Sequence, residues 1–249
     1  MHPMPFYIAL GSITLLMGPF LVPFVRFSLG SDLYSHLVLI PFVSAYLVWQ
    51  ARSELPSPGS SRPARSLAAI PGLVGAAGLA CLWLSPPSAN QDLMALTGIS
   101  FVSLVWTAAL WFLERQTVKA AGFPLAFLVT MVPFTEGMET AIETFLQHGS
   151  AACAYAMFQL AGTTLYRDNL IFHLPGITLE VAPQCSGIRS SLVLLITSLV
   201  GGHLFLRSPT RKAILAFAVI PLALLRNGFR VFVLGELCVR VGPHMIDSA

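Results

Sequence analysis

Two short clusters carry the residue types that do chemistry. The first is Cys185-Ser186-Gly187-Ile188-Arg189-Ser190-Ser191, which closes an alternating polar–apolar stretch and opens a long apolar run. Arg189 lies one helical turn after Cys185 and on the same face. A thiol beside a guanidinium at the start of a helix favours the thiolate, the form that attacks carbonyl carbon. The competing reading is a packed cysteine beside a snorkelling arginine. The second cluster is Arg226-Asn227-Gly228-Phe229-Arg230, inside another apolar run. Ionisable residues inside a membrane-length segment mark function more often than structure. Asn227 and Arg230 are three residues apart and share a face.

These clusters need a scaffold that crosses a membrane. The chain has 249 residues, 55% of them hydrophobic and 10% charged, against roughly 25% charged in soluble domains. The fold class is an all-α polytopic membrane protein. About seven spans are predicted, at 6–25, 34–49, 67–84, 93–113, 121–134, 186–206 and 213–234. The first is read as a retained span rather than a cleaved signal, because no small-residue cleavage site follows it. Basic loops at 52–66, at Arg115 and Lys119, and at Arg207, Arg211 and Lys212 are placed in the cytoplasm, with the N-terminus.

Residues 136–162 decide the topology. Glu136, Glu139 and Glu143 form an acidic stripe at helical spacing. In a lipid-facing span each would cost on the order of 2.5–3.5 kcal/mol. The segment is therefore read as an amphipathic helix on the outer surface, broken at Gly149, with its stripe facing water. Residues 163–182 alternate on both sides of Pro175-Gly176 and predict a short β-hairpin leading into the Cys motif.

Depth can be counted along the last span. Arg230 lies roughly 27 Å from Lys212 at about 1.5 Å per residue, near the outer face where Cys185 begins its own span. His203 falls near the opposite end. His148 and His173 read as exposed polar residues. His36 has the right depth without a local partner, and His244 follows the last span on the outer side. Cys81, Cys153 and Cys238 lie in apolar context, and the four cysteines fit neither a zinc site nor a disulfide framework. No cofactor, no metal and no nucleic-acid partner is expected.

The pair Cys-Ser-Gly-x-Arg-Ser at 185–190 and Asn-x-x-Arg at 227–230 resembles the exosortase/archaeosortase family, in its bacterial exosortase form. Tyr34-Ser35-His36 before an apolar span and the hairpin before the Cys motif are also similar to it. The specific part of the resemblance covers residues 163–235. It implies a membrane cysteine protease/transpeptidase in the bacterial inner membrane, with the active site on the outer face and about eight spans. Residues 1–249 then form one exosortase-like transmembrane domain lacking the family's final span. The implied substrates are exported proteins with a C-terminal sorting signal of Pro-Glu-Pro type, a transmembrane helix and a basic cluster. Their new C-terminus passes to a surface acceptor, a lipid or a polysaccharide. By motif, Cys185 matches the nucleophile and Arg230 the essential arginine. His244 stands for the third residue, although Met-Ile-Asp-Ser-Ala follows it where the family has a glycine and a further span. Arg189 and Asn227 are assigned to substrate binding, with a structural role for Arg189 left open. Two rivals remain: an intramembrane protease that delivers the thioester to water, and a transporter or scaffold using Arg226, Asn227 and Arg230 as an anion site.

Overall fold

A computed structural model describes residues 4–53, 62–85, 90–182 and 186–240 of the chain. Two compact units divide at Glu136. Among the described residues, four helical segments have the length and apolar character of a membrane span: Arg65–Leu84, Gln91–Phe112, Ile188–Phe205 and Pro209–Arg240. The count reaches six if two pairs of helices, each interrupted by a short break, are taken as one span apiece. Ser35–Gln50 adds a shorter apolar helix. The protein is thus an α-helical, multi-pass membrane protein, with one small sheet among the described residues.

The first unit holds α1 (Met4–Leu16), α2 (Gly18–Gly30), α3 (Ile40–Gln50), α4 (Ala69–Leu84), α5 (Gln91–Phe112), α6 (Arg115–Ala120) and α7 (Gly122–Phe127). Its core gathers around α5, where Val102, Val105 and Ala109 are buried. The expected span at 6–25 is not straight: α1 and α2 meet at 74°. Pro19 stands in the first turn of α2, where its ring cannot follow a continuous helix through Met17. The stretch 121–134 is likewise a series of short pieces, with α7 followed by a 3₁₀ turn at Leu128–Met131. The carbonyls such a break releases find side chains: Pro124 O accepts from Ser44 Oγ at 2.7 Å and Leu125 O from Trp106 Nε1 at 3.1 Å. Broken helices persist at membrane depth on this condition.

The two ends of this unit differ in chemistry. At one end the Arg115 N–H donates to Arg62 O at 3.3 Å, Arg52 lies over Trp49 and Arg65 over Trp111. Arg62 and Arg115 therefore share a side, and Trp–Arg pairs such as these suit a membrane–water boundary. At the other end Gln91 Nε2 donates to Tyr34 Oη at 3.2 Å and to Phe134 O at 3.1 Å. The Asp92 carboxylate accepts the Glu136 N–H at 3.0 Å.

The second unit holds α8 (Glu136–Leu160), β1 (Tyr166–Asp168), β2 (Ile171–Leu174), β3 (Ile177–Glu180), α9 (Ile188–Phe205) and α10 (Pro209–Arg240). Contrary to expectation, α8 runs unbroken through Gly149. The glycine serves packing instead: a Cβ there would lie 2.7 Å from Leu224 Cδ2 of α10. Gly228 of α10 answers it, since its Cβ would meet Cys153 Cβ at 2.6 Å and Ser150 O at 2.9 Å. The two helices touch backbone to backbone. Gly228→Ala is expected to destabilise the protein by about 1–3 kcal/mol through overpacking, read as a lowered unfolding midpoint in detergent.

The expected hairpin is present but has a third strand. β2 and β3 pair antiparallel with Phe172 opposite Leu179, and β1 pairs antiparallel with the outer side of β2. Phe172, Leu174, Leu179 and Val181 point inward against Phe158 of α8 and Val231 of α10. α10 extends past the expected end near 234 to Arg240. Gly235 and Cys238 stay buried there, and Glu236 pairs with Arg240 at 2.9 Å.

Candidate functional site

The helix α9 begins at a left-handed turn. Gly187 has φ 74° and ψ 14°, a backbone state that side-chain-bearing residues adopt at a cost. The Ser190 and Ser191 hydroxyls both donate to its carbonyl, at 3.0 and 2.8 Å, and Ser186 Oγ accepts the Ile188 N–H at 3.4 Å. The first turn of α9 is thus locked by its own serines.

α10 runs antiparallel beside this turn. Arg226 Nη1 donates to Ser190 Oγ at 2.7 Å. A Cβ on Gly187 would lie 3.4 Å from Asn227 Cγ. Asn227 is buried, and its Nδ2 donates to Ser150 Oγ of α8 at 3.0 Å. The opposite ends of the pair meet at Gly202, beside Lys212 and Leu215. At this level residues 187–190 face residues 226–227.

A cleft of about 1040 Å³ opens between α9 and α10. Arg189, Arg226, Asn227 and Arg230 line its polar part together with Ser186 and Glu143, and apolar side chains such as Leu194, Phe229 and Leu237 line the rest. Three exposed guanidiniums face one carboxylate, so the polar part is electropositive. Burial, and then the neighbouring Glu139, raise the Glu143 carboxyl above the ordinary carboxylate range. Arg230 makes no hydrogen bond or ion pair among the described residues. An oxyanion or carboxylate presented in the cleft would meet donors on two helices.

Of the residues singled out from sequence, Arg189, Asn227 and Arg230 line one cavity. Cys185 and His244 lie outside the described residues, as do Pro183 and Gln184. His148 is held by Thr144 O at 2.8 Å and Asn169 Oδ1 at 3.2 Å, and His173 stacks on Tyr166. Cys81 is exposed on α4, Cys153 half-buried on α8 and Cys238 buried on α10. Among the described residues no His, Cys, Asp and Glu side chains gather in a group able to hold a metal. Two participants were not foreseen. Glu143 lines the cleft although the acidic stripe was expected to face water. Ser150 anchors Asn227; the small-residue run Gly149-Ser150-Ala151-Ala152 was its signal, since such runs mark close helix contacts.

The sequence model of one family, described as Transmembrane exosortase (Exosortase_EpsH), matches residues 28–248. No curated protein and no solved structure matches the chain.

Proposed function

The chain belongs to the transmembrane exosortase family, and on that premise we propose that it is a cysteine transpeptidase acting on exported proteins at the outer face of the bacterial inner membrane. The observation that carries this reading is the electropositive cleft shared by Arg189, Asn227 and Arg230, which opens at Ser186-Gly187, immediately after Cys185 in the chain.

The Cys185 thiolate attacks the scissile carbonyl carbon of a C-terminal sorting signal, of Pro-Glu-Pro type, presented by a membrane-anchored tail. Negative charge moves to the carbonyl oxygen, where Arg230 stabilises it. The C–N bond breaks and the tail leaves as an amine. Its proton comes from His244, because a guanidinium holds its proton too tightly to be an efficient acid at neutral pH. The acyl group remains on sulfur as a thioester until an acceptor nucleophile on a surface lipid or polysaccharide takes it and frees the thiol. Arg189 and Asn227 hold the substrate chain.

The test is capture of the thioester. A reporter carrying such a signal is co-expressed with the protein and the membranes are quenched in acid. The expected result is a covalent adduct between the reporter's N-terminal portion and the chain, released by neutral hydroxylamine and absent in Cys185→Ala. Processing that persists in Cys185→Ala sinks the reading. An unprocessed reporter, with membranes that instead take up anions in an Arg230-dependent manner, favours the anion-site alternative. The mass of the released fragment separates transfer from hydrolysis.

A further inference from the structure

The small sheet of the second unit has one edge that its register leaves open. The Val181 N–H donates to Leu170 O at 3.0 Å, so residues 170 and 181 form a hydrogen-bonded pair that extends the β2–β3 ladder by one step. Along an antiparallel ladder such pairs alternate with pairs that exchange no bond. In the observed register Phe172–Leu179 and Leu174–Ile177 are therefore bonded, and Ile171–Glu180 and His173–Thr178 are not. Thr178 Oγ1 lies 3.3 Å from His173 Nδ1, the close side-chain approach of a non-bonded pair. Ile171 and His173 direct their main-chain groups toward β1, which pairs with them. Thr178 and Glu180 direct theirs the other way, to the side of β3 where the sheet ends. There the Glu180 carbonyl takes the Ala182 N–H at 3.1 Å. The Thr178 N–H and carbonyl and the Glu180 N–H have no partner among the described residues, and both residues are exposed.

This open edge adjoins the cleft. Ile177 of β3 and Leu234 of α10 pack against the same buried cluster beneath the sheet, and Leu234 also lines the cleft. Ala182, just after β3, and Ser186, which lines the cleft, stand four residues apart, so about 14 Å at most separates them. We propose that the β3 edge takes an extended segment of the substrate polypeptide as a fourth strand and hands that chain on to the cleft. The proposal rests on the transpeptidase reading above and adds to it the place where the substrate's main chain is held. The occupant follows from the chemistry of the edge. Two N–H groups and a carbonyl stand in a row at the two-residue repeat of a strand, and an extended polypeptide presents acceptors and donors at that same repeat. An anion would meet the two N–H groups and leave the Thr178 carbonyl without a donor. The edge is short and Glu180 puts a charge on it, features that discourage chance pairing. A chain anchored in the same membrane meets it at a high effective concentration.

Thr178→Pro removes an outward N–H without taking a ladder bond from β2, and an edge strand tolerates proline at such a position. Expected is a KM for reporter processing raised about five- to tenfold, the size of one main-chain hydrogen bond, with kcat within about twofold. Thr178→Val keeps the N–H and is expected to raise KM less. An equal rise overturns the proposal by assigning the effect to the side chain, and so does an unchanged KM in a folded Thr178→Pro protein. A second measurement needs neither turnover nor the proline variant. Thr178→Cys is introduced into the Cys185→Ala protein and paired with reporters that carry single cysteines along the signal; disulfides to position 178 are mapped by mass after mild oxidation. A strand on this edge gives cross-links at every second reporter position. A helical period, no period or no cross-link overturns strand addition. A disulfide between two Thr178→Cys chains that the reporter does not displace overturns it as well, by assigning the edge to a second copy. Processing that survives Cys185→Ala removes the transpeptidase reading and leaves the cross-link pattern to judge the edge on its own.

Discussion

Cys185→Ala is expected to lower the rate of reporter processing by about 10³-fold or more, with unchanged protein level in the membrane. Removing the attacking atom of a covalent mechanism leaves only what binding and oxyanion stabilisation still provide. The chemistry around the site offers no substitute. Ser186 is buried and its oxygen accepts the Ile188 N–H, while Ser190 and Ser191 direct their hydroxyl protons at the Gly187 carbonyl. A hydroxyl needs an adjacent base to become a nucleophile, and the Ser186, Ser190 and Ser191 hydroxyls are committed to holding the turn, while that of Thr197 donates to Val193 O. Cys185→Ser is expected to be nearly as inactive, since an alcohol is ionised far less than a thiol at neutral pH. Cys81→Ala provides the control: that thiol is exposed on α4 in the other unit, and activity within about twofold of wild type is expected from a surface change. Quantifying cleaved reporter in all three backgrounds checks the prediction. A rate for Cys185→Ala within tenfold of wild type would remove the covalent mechanism.

Much of this architecture was legible before any coordinates, because lipid enforces simple rules. Long apolar runs separated by basic loops gave Arg65–Leu84, Gln91–Phe112 and Ile188–Phe205 to within a few residues. Alternation at 170–181 identified β2 and β3. Where the reading failed, the cause was tertiary. Gly149 looked like a helix breaker in isolation, yet it marks where α8 meets Leu224. β1 carries no apolar alternation at Tyr166-Arg167-Asp168 and owes its place to pairing with β2 and to a turn at Asn169, whose φ is 55°. α10 outran its apolar stretch because Gly235 and Cys238 continue the buried stripe of Asn227 and Val231 and Glu236 pairs with Arg240. At the site, helical spacing was enough to set Asn227 with Arg230, and both line the cleft beside Gly187; the depth count concerned Cys185, which lies outside the described residues. Ser150 stands 77 residues from Asn227, and a pairing at that separation leaves no local pattern in one sequence. Arg226 was visible as an intramembrane charge, but its bond to Ser190 was not, since it depends on the crossing of α9 and α10.

Arg230 carries the second large expectation. Arg230→Ala should reduce kcat by about 10²–10³-fold, the size of effect seen when one oxyanion donor is lost from a preorganised site, roughly 2.7–4 kcal/mol. The structure makes this a clean experiment. Arg230 is exposed in the cleft and makes no hydrogen bond or ion pair among the described residues, so its removal should move the unfolding midpoint by no more than other surface changes do. Arg226 is the contrast, because its bond to Ser190 ties α9 to α10 and its loss should affect stability and activity together. Arg230→Lys retains charge but gives up the planar fork of donors, and partial activity is expected. The partition between kinetic constants assigns the role. A donor that meets charge only in the transition state lowers kcat and kcat/KM equally and leaves KM in place; a group that merely holds an anionic substrate raises KM with kcat unchanged. The first pattern places Arg230 at the reacting carbonyl. The second moves it to substrate recognition beside Arg189 and leaves the oxyanion to backbone N–H groups at the start of α9, whose helix terminus already favours negative charge.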